Sequence, residues 1–202
     1  MKNILIVLAM LFSLRAFAQN IGVSTHPFSL KSSVINAELA NNTSNGTGTG
    51  VNLRYYNRLA DDVNMDVGYG VNSGDRENRF FLGTDYRLFP DYGYQPRISV
   101  KGMYSYGKEF DQKLHRIGFA PTISKGFNVN GNEVFPFVAI PLQLQLNSTA
   151  NNYQTVNTLA LGVTGRIQLD NSSDVIIANL ETQFNLRNSY NAIVLGISVP
   201  LN

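Results

Sequence analysis

Residues 63–71 read VNMDVGYGV. Val63, Met65, Val67, Tyr69 and Val71 alternate with Asn64, Asp66, Gly68 and Gly70, the period of two that sends successive side chains to opposite faces of a β-strand. A water-soluble sheet buries its apolar face against a second layer. This chain repeats the same rhythm along most of its length and carries little helical pattern to supply such a layer. The fold therefore turns on what the apolar faces touch.

The first residues bear on that question. MKNILIVLAMLFSLRAFAQ joins Lys2, an apolar run from Ile4 to Leu14, and the small-x-small ending Ala16-Phe17-Ala18. This is the pattern of a secretory signal peptide, residues 1–18, with cleavage expected between Ala18 and Gln19. The run is shorter than the roughly 20 residues of a membrane-crossing helix. The mature domain is then read as 19–202. Of the 16 basic residues, Lys2 and Arg15 lie in the signal, which leaves 14 against 14 acidic ones. A balanced chain offers no basic footprint for nucleic acid, and none is expected as a partner. The chain has no cysteine, so disulfides and thiolate-held metals are excluded. A mean hydropathy of −0.09 suits a sheet whose polar and apolar residues alternate.

Ten strands follow, near 28–40, 49–59, 63–72, 79–89, 96–106, 115–125, 134–146, 154–169, 175–187 and 190–201, separated by stretches rich in Asn, Gly, Asp and Ser. Each is about ten residues long, the length a tilted strand needs to cross a bilayer. One face of each is apolar and the other small, polar or charged. The predicted fold is all-β, an antiparallel up-and-down transmembrane barrel of about ten strands with eight as the alternative, whose apolar exterior meets lipid. Closure pairs every backbone group where no water is available. Nine tyrosines and Tyr56 fall mostly near strand ends, where a Tyr/Phe girdle would sit at the headgroup level. Pro121, Pro136, Pro141 and Pro200 fall inside strands and each removes a ladder donor. Bulges, strand ends or local breaks are expected there, with an irregular or partly unzipped side around Pro121, Pro136 and Pro141.

Two stretches carry a resemblance. FPFVAIPL (135–142) is similar to the Pro-aromatic-Val-small segment of small bacterial outer-membrane barrels, the OmpA/OmpW-like group. NAIVLGISVPLN (191–202) resembles their terminal strand, although this chain ends Pro200-Leu201-Asn202 where such barrels usually end in an aromatic residue. The resemblance implies the outer membrane of a Gram-negative bacterium, with outer-membrane lipid and the barrel-assembly machinery as partners. A homo-oligomer is compatible with it.

Chemistry is harder to find. His26 (in IGVSTHPFS) and His115 are the two histidines, and neither has the His-x-Ser pairing expected of a barrel hydrolase. Asp61-Asp62 reads as a solvated turn. NGTGTG (45–50) lacks the Lys-Ser/Thr ending of a phosphate loop, and no His/Asp/Glu group has metal spacing. No enzyme and no cofactor are expected. What stands out is the interior. The strand phases point Glu38, Asp66, Asp85 and Glu181 inward together with Arg54, Arg87, Arg97, Lys101, Arg116 and Arg166. Buried charges demand partners, so these lumen-lining groups are expected to form a paired network that plugs a narrow lumen. The expected role is non-catalytic, structural or surface-interacting. The alternatives are a narrow small-solute porin, lined by charges and weakly favouring anions, and a homo-oligomeric ring of barrels that holds lipid.

Overall fold

The computed structural model describes residues 21–23, 33–44, 48–72, 76–168 and 175–201. The proposed signal peptide and His26 lie outside the described residues. Among those described, strands β1 (Val34–Asn42), β2 (Gly48–Ala60), β3 (Val63–Asn72), β4 (Arg76–Phe89), β5 (Arg97–Glu109) and β6 (Gln112–Ser124) come first. Then follow β7 (Phe127–Val129), β8 (Asn132–Ala139), β9 (Leu142–Asn147), β10 (Asn152–Gln168), β11 (Val175–Arg187) and β12 (Ala192–Pro200).

Every neighbouring pair is antiparallel, and β12 returns to pair with β1, Leu39 opposite Leu195, so the sheet closes on itself. β8 and β9 together make a single stave between β6 and β10. Phe119 faces Leu142 in β9 and Thr122 faces Ala139 in β8, so three residues on one strand match three on the other and no residue slips. β7 pairs only with β8, as a short hairpin beyond the barrel wall. Ten staves therefore form a closed antiparallel barrel.

The outward faces carry the apolar residues. Val51, Leu53, Phe119, Ile123, Leu180, Leu195 and Ile197 are all exposed, a band that no second layer covers among the described residues. Lipid is the solvent that such a surface requires, and closure leaves no strand edge inside it. The fold is a transmembrane β-barrel. Near the end that bears the hairpins between β3 and β4 and between β5 and β6, an outward row runs in register around half the wall. It passes from Tyr69 to Phe80, Tyr106, His115, Leu146 and Tyr153. Amphipathic rings in such a row suit a membrane–water boundary. His115 belongs to it: its Nδ1 lies 2.9 Å from the Tyr104 hydroxyl and its ring 4.7 Å from that of Tyr106. Tyr56 does not belong, because it points into the barrel and is 3% exposed.

Two of the expected interruptions are present: β12 ends at Pro200, and β8 and β9 are separated at Ile140-Pro141. The side around Pro121, Pro136 and Pro141 is not unzipped, for the ladder continues through them on their carbonyls. Ile140 N–H donates to the Pro121 carbonyl at 3.1 Å and Thr158 N–H to the Pro141 carbonyl at 3.0 Å. A proline lacks only its donor, and its acceptor suffices to hold the register. Register shifts lie between Arg58 and Ala60 against β3, between Arg87 and Phe89 against β5, and, on the strand that faces Pro141, between Asn157 and Thr158 against β11. The turn between β5 and β6 is tighter than its sequence suggested. Phe110 and Asp111 adopt φ of 49° and 59°, the conformation of a two-residue hairpin turn, and the two strands run almost to it.

Candidate functional site: the charged lumen

Alternation delivers the polar set to the inside. Asn36 and Glu38 from β1, Asn52, Arg54 and Tyr56 from β2, and Asp66 from β3 share the interior. β4 and β5 add Arg79, Asp85, Arg97 and Lys101. The charges sort into three tiers along the axis. Nearest the end that carries both chain termini, Arg97 Nη2 lies 2.6 Å from Asp85 Oδ2. At mid-barrel, Arg54 stands between Glu38 (3.2 Å) and Asp66 (3.7 Å), and Lys101 Nζ meets the other Asp66 oxygen at 3.1 Å. At the opposite end, Arg79 and Arg116 share Glu109 Oε1 at 2.6 and 2.8 Å.

Arg54 is the hub of the middle tier. Its Nη1 donates to the Tyr56 hydroxyl at 2.7 Å, and its guanidinium carbon lies 4.9 Å from the centre of the Phe81 ring. A planar cation with five donors and a stackable face suits such a site in a way a lysine would not. All of these side chains are 0–4% exposed.

Eight of the ten sequence-derived charges (Glu38, Arg54, Asp66, Asp85, Arg97, Lys101, Arg116 and Glu181) face the closed interior. Two sit at the rim instead. Arg87 is about one-third exposed and donates to Asp62 in the β2–β3 turn, while Arg166 is 47% exposed and pairs with Glu133. Both keep the inward phase of their strands, but that phase carries them past the barrel's terminus-bearing end into solvent. Two interior charges were missed, Arg79 and Glu109, 4% and 2% exposed. Each has the inward phase, and Glu109 was lost because β5 was read as ending at 106. The described interior thus holds five basic groups (Arg54, Arg79, Arg97, Lys101, Arg116) and five acidic ones (Glu38, Asp66, Asp85, Glu109, Glu181). The expected basic excess is absent, and with it any basis for anion preference.

A cavity of about 70 Å³ lies between the middle tier and the Glu109 tier, lined by Val23, Arg79, Lys101, Met103, Arg116 and Gln143 among others. That is room for a few waters. Among the described residues no group of three His, Asp or Glu side chains could hold a metal ion.

A closed wall of ten staves, apolar outside and charge-paired inside, defines the class as a membrane-spanning β-barrel. No protein-family model matches the chain, and no curated protein matches it in sequence. Among solved structures it is similar to a chain from the de novo design of transmembrane β-barrels, at 14% identity and a TM-score of 0.40 over 86% of this chain and 98% of that one. It is also similar to the N-terminal β-barrel domain of OprF from Pseudomonas aeruginosa, at 16% identity and a TM-score of 0.36 over 85% and 98%. A third is the KdgM porin, at 9% identity and a TM-score of 0.40 over 84% and 99%. At this level of likeness the barrel rests on the chain's own register and exposure.

Proposed function

We propose that the protein is an integral β-barrel of the bacterial outer membrane with a closed lumen and a non-catalytic role, structural or surface-interacting. The observation that carries this reading is the ion-paired run Glu38–Arg54–Asp66–Lys101, which links β1, β2, β3 and β5 inside the lumen with every charged group buried against its partner. A conducting pore of this width would need water along its axis. Here opposite charges take the places that water would hold, and each cation is committed to a carboxylate. The signal-like first residues and the lipid-facing exterior support the outer membrane as location. Its lipid is the main partner of the apolar face, and the barrel-assembly machinery is the agent of insertion.

Refolded mature chain in planar bilayers tests the reading. No stepwise conductance is expected. A steady unitary conductance would overturn the closed lumen and favour a narrow porin.

A further inference from the structure

The lumen also contains a piece of the chain that belongs to no strand. Ile21, Gly22 and Val23 lie inside the barrel, and four side chains of the wall address their main chain. Val23 N–H donates to both oxygens of Glu181 at 3.0 and 2.9 Å. Gly22 N–H donates to Glu38 Oε2 at 3.3 Å. In return, Arg54 Nη2 donates to the Gly22 carbonyl at 3.0 Å, and Gln183 Nε2 to the Ile21 carbonyl at 3.0 Å. Two acceptors therefore meet consecutive amides and two donors meet consecutive carbonyls.

Side-chain space is matched as well. Val23 is 4% exposed in a cluster with Ala120, Phe137, Ala139 and Ala160. Three alanines on adjacent staves leave a socket where larger inward residues would fill the lumen. Gly22 has the complementary need, since a Cβ on it would lie 2.9 Å from Glu38 Oε1. The wall therefore accepts a residue without a side chain followed by a β-branched one.

From this geometry we infer that the lumen is a peptide-binding site, which reads an extended main chain through Glu38, Glu181, Arg54 and Gln183 and whose resident ligand is the chain's own Ile21–Val23 segment. The inference deepens the closed-barrel reading and rests on it. Glu38 and Arg54 thereby serve twice, pairing with each other and holding the peptide. The segment joins no ladder of the barrel, so the closed sheet does not depend on it. With cleavage after Ala18, only Gln19 and Asn20 precede it, and a short terminal peptide can leave without unthreading a loop. What it leaves behind are two buried carboxylates that keep Arg54, Asn52 and Gln183 as donors but lose the Gly22 and Val23 amides, a loss that another main chain can make good. The ligand class that restores them is a short extended peptide with the small-then-β-branched order of Gly22-Val23.

The absence of cysteine makes the seat of the segment directly readable. In the refolded full mature chain, Val23→Cys should react with a bulky water-soluble maleimide about ten-fold or more slowly than Ala150→Cys in the exposed β9–β10 turn, because only local opening exposes it. Equal rates would overturn the inference. A second variant begins at Ser24, its folding checked by a heat-dependent shift on gels. A fluorescent Gln-Asn-Ile-Gly-Val amide should bind it saturably by anisotropy, and the same peptide N-methylated at its Gly and Val amides should not. No saturable binding, or equal binding of both peptides, would overturn it. If the truncated barrel fails to fold, the thiol rates alone decide. Conductance by the full chain would sink the closed lumen separately, since neither the thiol rates nor the anisotropy reads ion flow.

Discussion

Glu38 and Arg54 stand on neighbouring staves but are not opposite each other. Glu38 faces Asn52 and Arg54 faces Asn36, and the charged groups meet along the diagonal at 3.2 Å with neither exposed. A diagonal pair on one face of a sheet is within reach of long side chains, and here it fixes the guanidinium between the wall and the Ile21–Val23 segment. Taking two ions out of water costs more than a simple pair returns unless the other hydrogen bonds are also satisfied. The Tyr56 hydroxyl and the Gly22 carbonyl accept two further hydrogen bonds from Arg54 and Asp66 adds a second carboxylate at 3.7 Å, while Arg54 Nε and Glu38 Oε1 are left without a hydrogen bond among the described residues.

Arg54→Met is therefore expected to destabilise the refolded barrel by about 3–5 kcal/mol, the cost of stranding a buried charge. Equilibrium unfolding in urea from lipid vesicles measures it. The double variant Glu38→Gln/Arg54→Met should lose less than the sum of the two single changes, because it strands fewer charges. Additive losses would mean that the two side chains do not interact.

Leu195 faces outward on β12, opposite Leu39 and Leu180 on its neighbours, and is exposed. Leu195→Arg should cost about 2–4 kcal/mol if that position lies near the bilayer midplane, and much less if it faces water. Vesicle refolding yield and unfolding midpoint read the difference. An unchanged midpoint would argue that this face meets no lipid.

Pro121 pairs with Ile140 and points outward, its carbonyl already accepting from Ile140 N–H. Pro121→Val supplies an amide that can donate back to the Ile140 carbonyl. The register is already continuous there, so the change should raise stability by about 0.5–1.5 kcal/mol, the net value of one hydrogen bond. A drop in stability would show that the proline is needed for local shape.

Gly162 lies under the Phe137 ring that walls the Val23 socket. A Cβ there would sit 2.5 Å from the ring and 2.6 Å from the Leu180 carbonyl. Gly162→Ala should cost about 1–3 kcal/mol by overpacking and should speed maleimide reaction at Val23→Cys. Gly165, on the same strand, has open space where its Cβ would go. Gly165→Ala is the control, expected to be neutral or to stabilise by about 0.5–1 kcal/mol. Equal effects of the two substitutions would detach Gly162 from the socket.

Much of the barrel was legible in the chain because a β-strand has a period of two. Once Val51, Leu53 and Tyr55 are set outward, Asn52 and Arg54 must face in, and eight of the ten inward charges followed from that rule alone. It failed where strand length, not phase, decided the outcome. Arg87 and Arg166 keep their phase but run past the wall, and Glu109 was lost with the last turn of β5. Tyr56 was misplaced because its ring suits either an interface or a lumen, and only its neighbours Arg54 and Lys101 distinguish them.

The sequence by itself determined a transmembrane sheet, its lipid-facing side and an inward set of charges, which depend on local spacing, and left ten strands or eight for the closed register to decide. Only the tertiary structure decided which charges meet, because cross-strand register sets the diagonals that join Arg54 to Glu38 and that bring Arg79 and Arg116 to one Glu109 oxygen. It alone showed that the proline-bearing stave keeps its register, since a carbonyl on each side is enough to hold the ladder. The seat of Ile21–Val23 belongs to the same category. Its partners Glu38 and Glu181 are far apart in the chain, and no spacing along one strand can express a site that exists only when the sheet closes.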